Sequence, residues 1–212
     1  MSQNEQLTKE LSLMGEEVKN IVTRSLNSLV EKNSKEAREI ISQDDLVDNR
    51  LIVIEDQVAQ ILVERNPKGQ ELRRCLSTLK VAIGLERIAD LATNIAEITL
   101  ELKDAEYIKP LIHIPQLAKI AVNMLEVSLE SYLENNSDLA EAVCKKDEEA
   151  DNIYEELYHE LTRIMSKTGD LNQTGQAIHF LLIAGFFERI ADHATNISEE
   201  TILVNTGMRV KY

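Results

Sequence analysis

Two acidic residues four apart lie one turn apart on the same face of a helix, where their carboxylates can share a cation. Four such pairs stand out by placement: Asp44/Asp48 and Glu86/Asp90 in the first half of the chain, Asp147/Asp151 and Glu188/Asp192 in the second. A single pair carries no information, because 37 acids in 212 residues give roughly six by chance, a high background for any short motif. Repetition raises the signal. The stretch ERIADLATNIAE at Glu86–Glu97 returns as ERIADHATNISE at Glu188–Glu199. Each stripe continues through a neutral oxygen donor, Asn94 or Asn196, to a further acid, Glu97 or Glu199. Clustered carboxylates are hard donors suited to Mg²⁺, Ca²⁺, Mn²⁺ or iron, and neighbouring helices can hold more than one ion. Like charges at this spacing cost a helix about 0.2–0.5 kcal/mol, and a bound cation would reverse that sign. The competing reading is a solvated acidic surface, with Arg87 and Arg189 making ordinary ion pairs.

The elements that must position these acids are helices. Seven Gly, three Pro, three Phe and no Trp leave few turn formers and few aromatics, so long helices with short connections are expected. Apolar residues recur at three- and four-residue steps, as in Leu51, Ile54, Val58, Ile61 and Leu62, or Ile88, Leu91, Ala92, Ile95 and Ile98. Asn33 with Glu36, and Asn135–Asp138 with Glu141, read as helix starts of capping-box type. Asn66–Gly69 and Thr168–Asp170 read as turns, and Pro110 and Pro115 break the middle of the chain. The spacing predicts helices over Gln3–Lys32, Ser34–Arg65, Gly69–Lys103, Pro115–Glu134, Ser137–Lys167 and Asn172–Asn205.

The duplication extends beyond the acidic motif. Asn20, Ser25 and Ser28 match Asn123, Ser128 and Ser131, while Asp44 and Asp48 match Asp147 and Asp151. The reading is an all-α protein of two tandem three-helix repeats, residues 1–109 and 110–212, with six long antiparallel helices. Counted from the turns, Asp48 is level with Glu86 and Asp151 with Glu188. Each half should therefore bring two acid pairs to the same height on adjacent rods.

Other chemistry is thinly represented. A formal charge of −14 argues against nucleic acid, whose binding rests on Lys and Arg neutralising phosphates. Cys75 and Cys144 build neither a disulfide framework nor a metal knuckle, and Cys144 aligns with Ile41 as a small core residue. The polar start MSQNEQLTKE and the lack of an apolar run near 18 residues give no secretory signal and no membrane span, so a cytoplasmic protein is expected. A ferritin-like metal enzyme or iron-storage bundle wants ExxH on two helices. Only Glu156–His159 matches, which makes that class the alternative rather than the main reading. His179 reads as a hydrogen-bonded core residue, and His193 has Leu91 as its counterpart, so neither is a symmetric ligand.

Two copies of ERIADxATNIxE at this separation resemble the signature of the PhoU family, over the whole chain. The resemblance implies an all-helical, often dimeric cytoplasmic regulator that represses the phosphate-starvation response. It also implies contacts with the ATPase subunit of the phosphate ABC transporter and with a phosphate sensor histidine kinase, at the inner face of the membrane. Some relatives carry iron or zinc clusters on the acid pairs. That carries over to Asp44, Asp48, Glu86 and Asp90 for one site, and to Asp147, Asp151, Glu188 and Asp192 for the other. This chain has Ala89 and Ala191 where the family usually has Gly, and Leu91 where it often has His, as in His193. The two sites are therefore expected to differ.

Overall fold

In a computed structural model, residues 3–212 are described, apart from the side chain of Asp44. The helices are α1 (Gln3–Glu31), α2 (Ser34–Ser42), α3 (Asp44–Arg65), α4 (Gln70–Glu101), α5 (His113–Glu134), α6 (Ser137–Lys167) and α7 (Leu171–Thr206), and no strand occurs among the described residues. Counting α2 and α3 as one broken rod, these are the six expected helices, with boundaries within about two residues of the sequence reading, the usual margin for helix ends.

The repeat is visible in how helices end. Lys32 and Asn135 both take the left-handed conformation, at φ 52° and 56°. The residue after each donates its N–H 2.8 Å to a serine carbonyl, Asn33 to Ser28 and Asn136 to Ser131. Asn33 Oδ1 then accepts from the Glu36 N–H at 3.1 Å. The second half of a capping box is missing, because the Glu36 carboxylate accepts from Arg24 instead. In the second repeat the cap is Asn136, which accepts from the N–H groups of Asp138 and Leu139 at 3.1 and 3.2 Å.

The repeats differ at Gln43. The rod expected to run unbroken from Ser34 to Arg65 is interrupted there, at φ −100° and ψ 2°. Its N–H turns back 3.0 Å to the Ile40 carbonyl, and Arg24 Nη1 holds its side-chain oxygen at 2.8 Å. The following residues are Asp44 and Asp45, acids that favour a helix N-terminus, where the backbone dipole is positive. The matching stretch Lys146-Asp147-Glu148 carries two acids as well, yet α6 runs straight through it, so the acids alone do not break the rod.

The buried apolar residues form one cluster that draws on both repeats. The third helices, α4 and α7, pack on each other, and α1 packs on α5. Small residues permit this closeness. A Cβ added at Gly15 would meet Leu129 Cδ1 at 2.7 Å. Ser25, Ser28, Ser128 and Ser131 are fully buried, and each donates its hydroxyl to a carbonyl of the preceding turn at 2.7–2.9 Å. Across the α4–α7 seam Glu200 accepts from Ser77 Oγ at 2.5 Å and from Lys80 Nζ at 2.6 Å. The connection between repeats is fixed as well: Tyr107 donates to the Leu29 carbonyl at 2.6 Å, while Gln176 Nε2 donates to the Glu106 carbonyl at 2.9 Å.

Tyr132 anchors α5 beneath α4. Its ring is fully buried, and its hydroxyl shares a 2.8 Å hydrogen bond with Thr78 Oγ1 and donates 3.2 Å to the Arg74 carbonyl. Burial pushes the phenol up to about 12. Tyr132→Phe keeps the ring and removes the hydroxyl. It should cost about 1 kcal/mol in urea denaturation, the net worth of a buried hydrogen bond, and an unchanged midpoint would show the hydroxyl to be redundant.

Candidate metal centres

In the second repeat the four predicted acids lie on two packed helices. Asp147 and Asp151 project from α6, Glu188 and Asp192 from α7, with Asp147 and Glu188 half-buried and the other two at the rim. Burial, then the nearby carboxylates of Asp192 and Asp151, push Asp147 up to about 6. Burial, Asp192, Asp151 and Asp147 push Glu188 up to about 7, against the opposing charge of Arg189. Asp192 is raised by burial and by Asp151. Acids from α6 and α7 thus influence one another across the helix pair.

The chemistry of the donor set suits a hard cation. Asp147 Oδ1 is buried without a hydrogen-bond partner, and so is Thr195 Oγ1. Thr195 is 5% exposed and faces the same cleft, an open space of about 500 Å³ also lined by Asp147, Asp192, Asn196 and Glu199. The Thr195 hydroxyl is near enough to oppose the rise at Asp147, but neither orphaned oxygen is satisfied. Buried unsatisfied oxygens beside mutually repelling carboxylates are what a cation would relieve. Among the described residues no three His, Cys, Asp or Glu side chains yet stand close enough together to form a finished ligand set. Uncompensated carboxylates are expected to stand apart in this way.

The first repeat is arranged differently. Asp44 begins α3, but its side chain lies outside the described residues. Asp48 is exposed on α3. Glu86 and Asp90 are bridged on their own helix by Arg87, at 3.4 and 3.6 Å. That is the ion pairing expected of a solvated stripe, whereas Arg189 acts on Glu188 and Asp192 only as a nearby charge. Asn94 is half-buried and Glu97 exposed, continuing the stripe along α4.

The histidines divide as follows. His193 is half-buried and held below its ordinary value by burial and by Arg189 and Arg87. It lines a neighbouring cleft of about 200 Å³ with Lys80, Val81 and Gly84, rather than the one between Asp147 and Asp192. His179 Nε2 lies 3.1 Å from Glu101, with Nδ1 buried and without a partner. His159 is exposed and lies 3.6 Å from Glu155, not from Glu156.

Two features of the second cleft went unread in the sequence. Thr195 was legible, since it repeats Thr93 inside the duplicated motif. Cys144, one turn before Asp147, is buried, as its alignment with Ile41 leads one to expect, and is pushed up to about 12 by burial, Glu199 and Asp147. The segment Arg209–Tyr212 also lines the cleft, and nothing in its residue types announces that placement.

Comparison with known proteins agrees with this anatomy. The PhoU domain family model matches residues 11–99 and again 114–201, one copy per repeat. The phosphate-specific transport system accessory protein PhoU homolog of Clostridium acetobutylicum is 31% identical over 207 residues, covering 97% of this chain and 94% of the relative. A homolog from Thermotoga maritima is 32% identical, covering 98% and 87%. The crystal structure of PhoU from Pseudomonas aeruginosa superposes with a TM-score of 0.93 at 26% identity, over 97% of this chain and 98% of that one. The phosphate transport system regulatory protein PhoU from Streptococcus pneumoniae gives 0.90, also at 26% identity, over 98% and 97%. With both halves matched and nearly the whole chain covered, this protein belongs to the PhoU family.

Proposed function

We propose that this chain is a non-enzymatic regulator of phosphate homeostasis that represses the phosphate-starvation response and binds metal on its acid pairs. The observation that carries the metal reading is the mutual electrostatic influence of Asp147, Asp151, Glu188 and Asp192, together with two buried oxygens, Asp147 Oδ1 and Thr195 Oγ1, that lack hydrogen-bond partners. The relatives are named as accessory proteins of phosphate transport, which supports the regulatory part. The partners are the ATPase subunit of the phosphate ABC transporter and a phosphate sensor histidine kinase, met at the cytoplasmic face of the membrane, with the chain acting as a homodimer. No described helix is long and apolar enough to cross a membrane, so membrane association runs through those partners.

Asp147 and Glu188 would hold the ion from the half-buried side, with Asp151 and Asp192 closing from the rim, and Asn196 and Glu199 standing as auxiliary donors. A bound iron, zinc, manganese, magnesium or calcium ion supplies positive charge that cancels the mutual repulsion of the stripe. In the first repeat Glu86, Asp90, Asp48 and Asp44 form the candidate set, and Arg87 must first give up its two acids. The first site should therefore bind more weakly.

Elemental analysis of the natively purified chain tests this, alongside capture of the transporter ATPase and the kinase with and without chelator. We expect metal in the native chain, partial loss in Glu86→Gln/Asp90→Asn and larger loss in Glu188→Gln/Asp192→Asn. Chelator should weaken partner capture. A metal-free protein with unchanged partner binding would reduce the stripes to recognition surfaces.

A further inference from the structure

The outer rods of the two repeats, α3 and α6, do the same structural job with different outer faces. Val47, Ile54 and Val58 of α3 are buried, and so are Ala150, Leu157 and Leu161, which stand 103 residues later on α6. On the solvent side the match fails. Leu46, Ile52, Val53 and Val63 are 58%, 53%, 43% and 84% exposed, and Ala59 is exposed beside them. Their counterparts on α6 are Glu149, Glu155, Glu156, Ser166 and Thr162, all exposed. The fold therefore does not need apolar side chains at these places. Helical spacing sets Ile52, Ala59 and Val63 along one row of α3, with Leu46 and Val53 in the next. Helix α3 packs on α1, α2 and α4, which leaves this face uncovered. Single aliphatic side chains on a surface are ordinary, but a contiguous apolar face rimmed by polar groups marks an interaction site.

The rim of this face is acidic. Asp45, Asp48, Glu55 and Asp56 are exposed on it, and among the described residues none of them makes an ion pair. The two cations of α3 are engaged elsewhere: Arg50 lies 2.7 Å from Glu10 of α1 and also pairs with Glu17, while Arg65 lies 2.8 Å from Glu71. We propose that the outer face of α3 is a docking site for an amphipathic helix of another protein, one whose apolar stripe is flanked by Lys and Arg. Its apolar side chains, at three- and four-residue steps, cover Ile52, Val53, Ala59 and Val63, and its flanking cations meet Glu55 and Asp56. Charge decides against the other occupants. A second copy laid along α3 brings these acids against their own copies, and neither cation of α3 is free to offset them. An anionic lipid surface is repelled in the same way. The homodimer proposed above therefore uses another face. The inference rests on neither the metal reading nor the partners named with it.

The test uses the full chain and a dye-labelled synthetic peptide of about 20 residues, with Leu at every third and fourth position and Lys on both flanks. Fluorescence anisotropy reads the affinity, and hydrogen exchange locates the peptide. The native chain should bind it at least about tenfold more tightly than Leu46→Glu/Ile52→Glu/Val53→Glu, since burying even one aliphatic side chain is worth about that factor. The variant gives α3 the residues α6 already carries, so its urea midpoint should hold. It also adds three negative charges, so attraction by charge alone predicts tighter binding in the variant. Tighter or equal binding there overturns the proposal. Glu55→Gln/Asp56→Asn should weaken binding about two- to tenfold, and a twin peptide with Glu in place of Lys should not bind. An unchanged affinity in either case removes the cationic partner and the proposal with it. Exchange protection should fall on α3 and spare α6, and the reverse overturns the assignment. Self-association in sedimentation, or flotation with anionic phospholipid vesicles, that the triple variant abolishes would assign the face to a second copy or to lipid instead. Failure of the native chain to bind the Lys-flanked peptide sinks the docking site outright.

Discussion

Glu188→Gln with Asp192→Asn is expected to stabilise the metal-free chain by about 2 kcal/mol at pH 8, because it deletes charges that the fold holds against their preference. The same change should abolish stabilisation by Mn²⁺ at the second site. Glu188 and Asp147 sit above the ordinary carboxylate range, at about 7 and about 6, through burial and mutual repulsion. A raised folded-state value means that the native chain binds protons the unfolded chain has already released. Their contribution is therefore fully favourable below about pH 4, where the unfolded acids are still protonated, and is lost as pH rises through 6 and 7.

In chelator, stability should fall between pH 4.5 and 7 and level off above that. His193 works in the opposite sense: its value is depressed, so it costs stability as pH falls through the ordinary histidine range. Leu91 stands at its place in the first repeat, and a His193→Leu background removes the counter-term. Denaturation midpoints at four pH values, with chelator and with saturating Mn²⁺, read the effect. The slope should vanish with metal and shrink in the double amide variant, where burial still raises Asp147. A flat profile for the metal-free His193→Leu chain would mean that these acids are not held together as described.

The second large effect is mechanical. Phe187 is fully buried and immediately precedes Glu188, just as fully buried Leu85 precedes Glu86. These side chains set the depth and rotation of α7 and α4, and so decide which way the following acid points. Phe187→Ala should cost about 3–5 kcal/mol, the transfer of a ring plus the cavity it leaves. Phe186, only partly buried against the same core, should cost clearly less when cut to Ala. Urea denaturation separates the two, and equal losses would show that Phe187 is not the anchor. If the register argument holds, Phe187→Ala also weakens Mn²⁺ binding with all four acids intact.

Much of this was present in the residue order. The long helices follow from a 3.6-residue apolar period with little Gly or Pro to interrupt it. Their ends follow from Asn33, Asn136 and the Asn66–Gly69 turn, whose side chains and conformations act within a few residues. The level pairing of Asp151 with Glu188 follows too, because an antiparallel hairpin with a short turn has only one register. All of these are local or nearly local, and local energetics are written in sequence.

What the order of residues left open depends on which rods lie side by side. The match between repeats predicts two acid stripes that differ at Leu91 and His193. The folded chain adds further differences, because α3 restarts at Asp44 after the break at Gln43, and Arg87 closes on Glu86 and Asp90. The return of Arg209–Tyr212 over the second cleft, and the turning of His193 into its neighbour, are likewise contacts between residues far apart in sequence or on different helix faces. Periodicity fixes which face of a helix is apolar, but only packing against α4, α5 and α6 decides what each polar side chain of α7 meets.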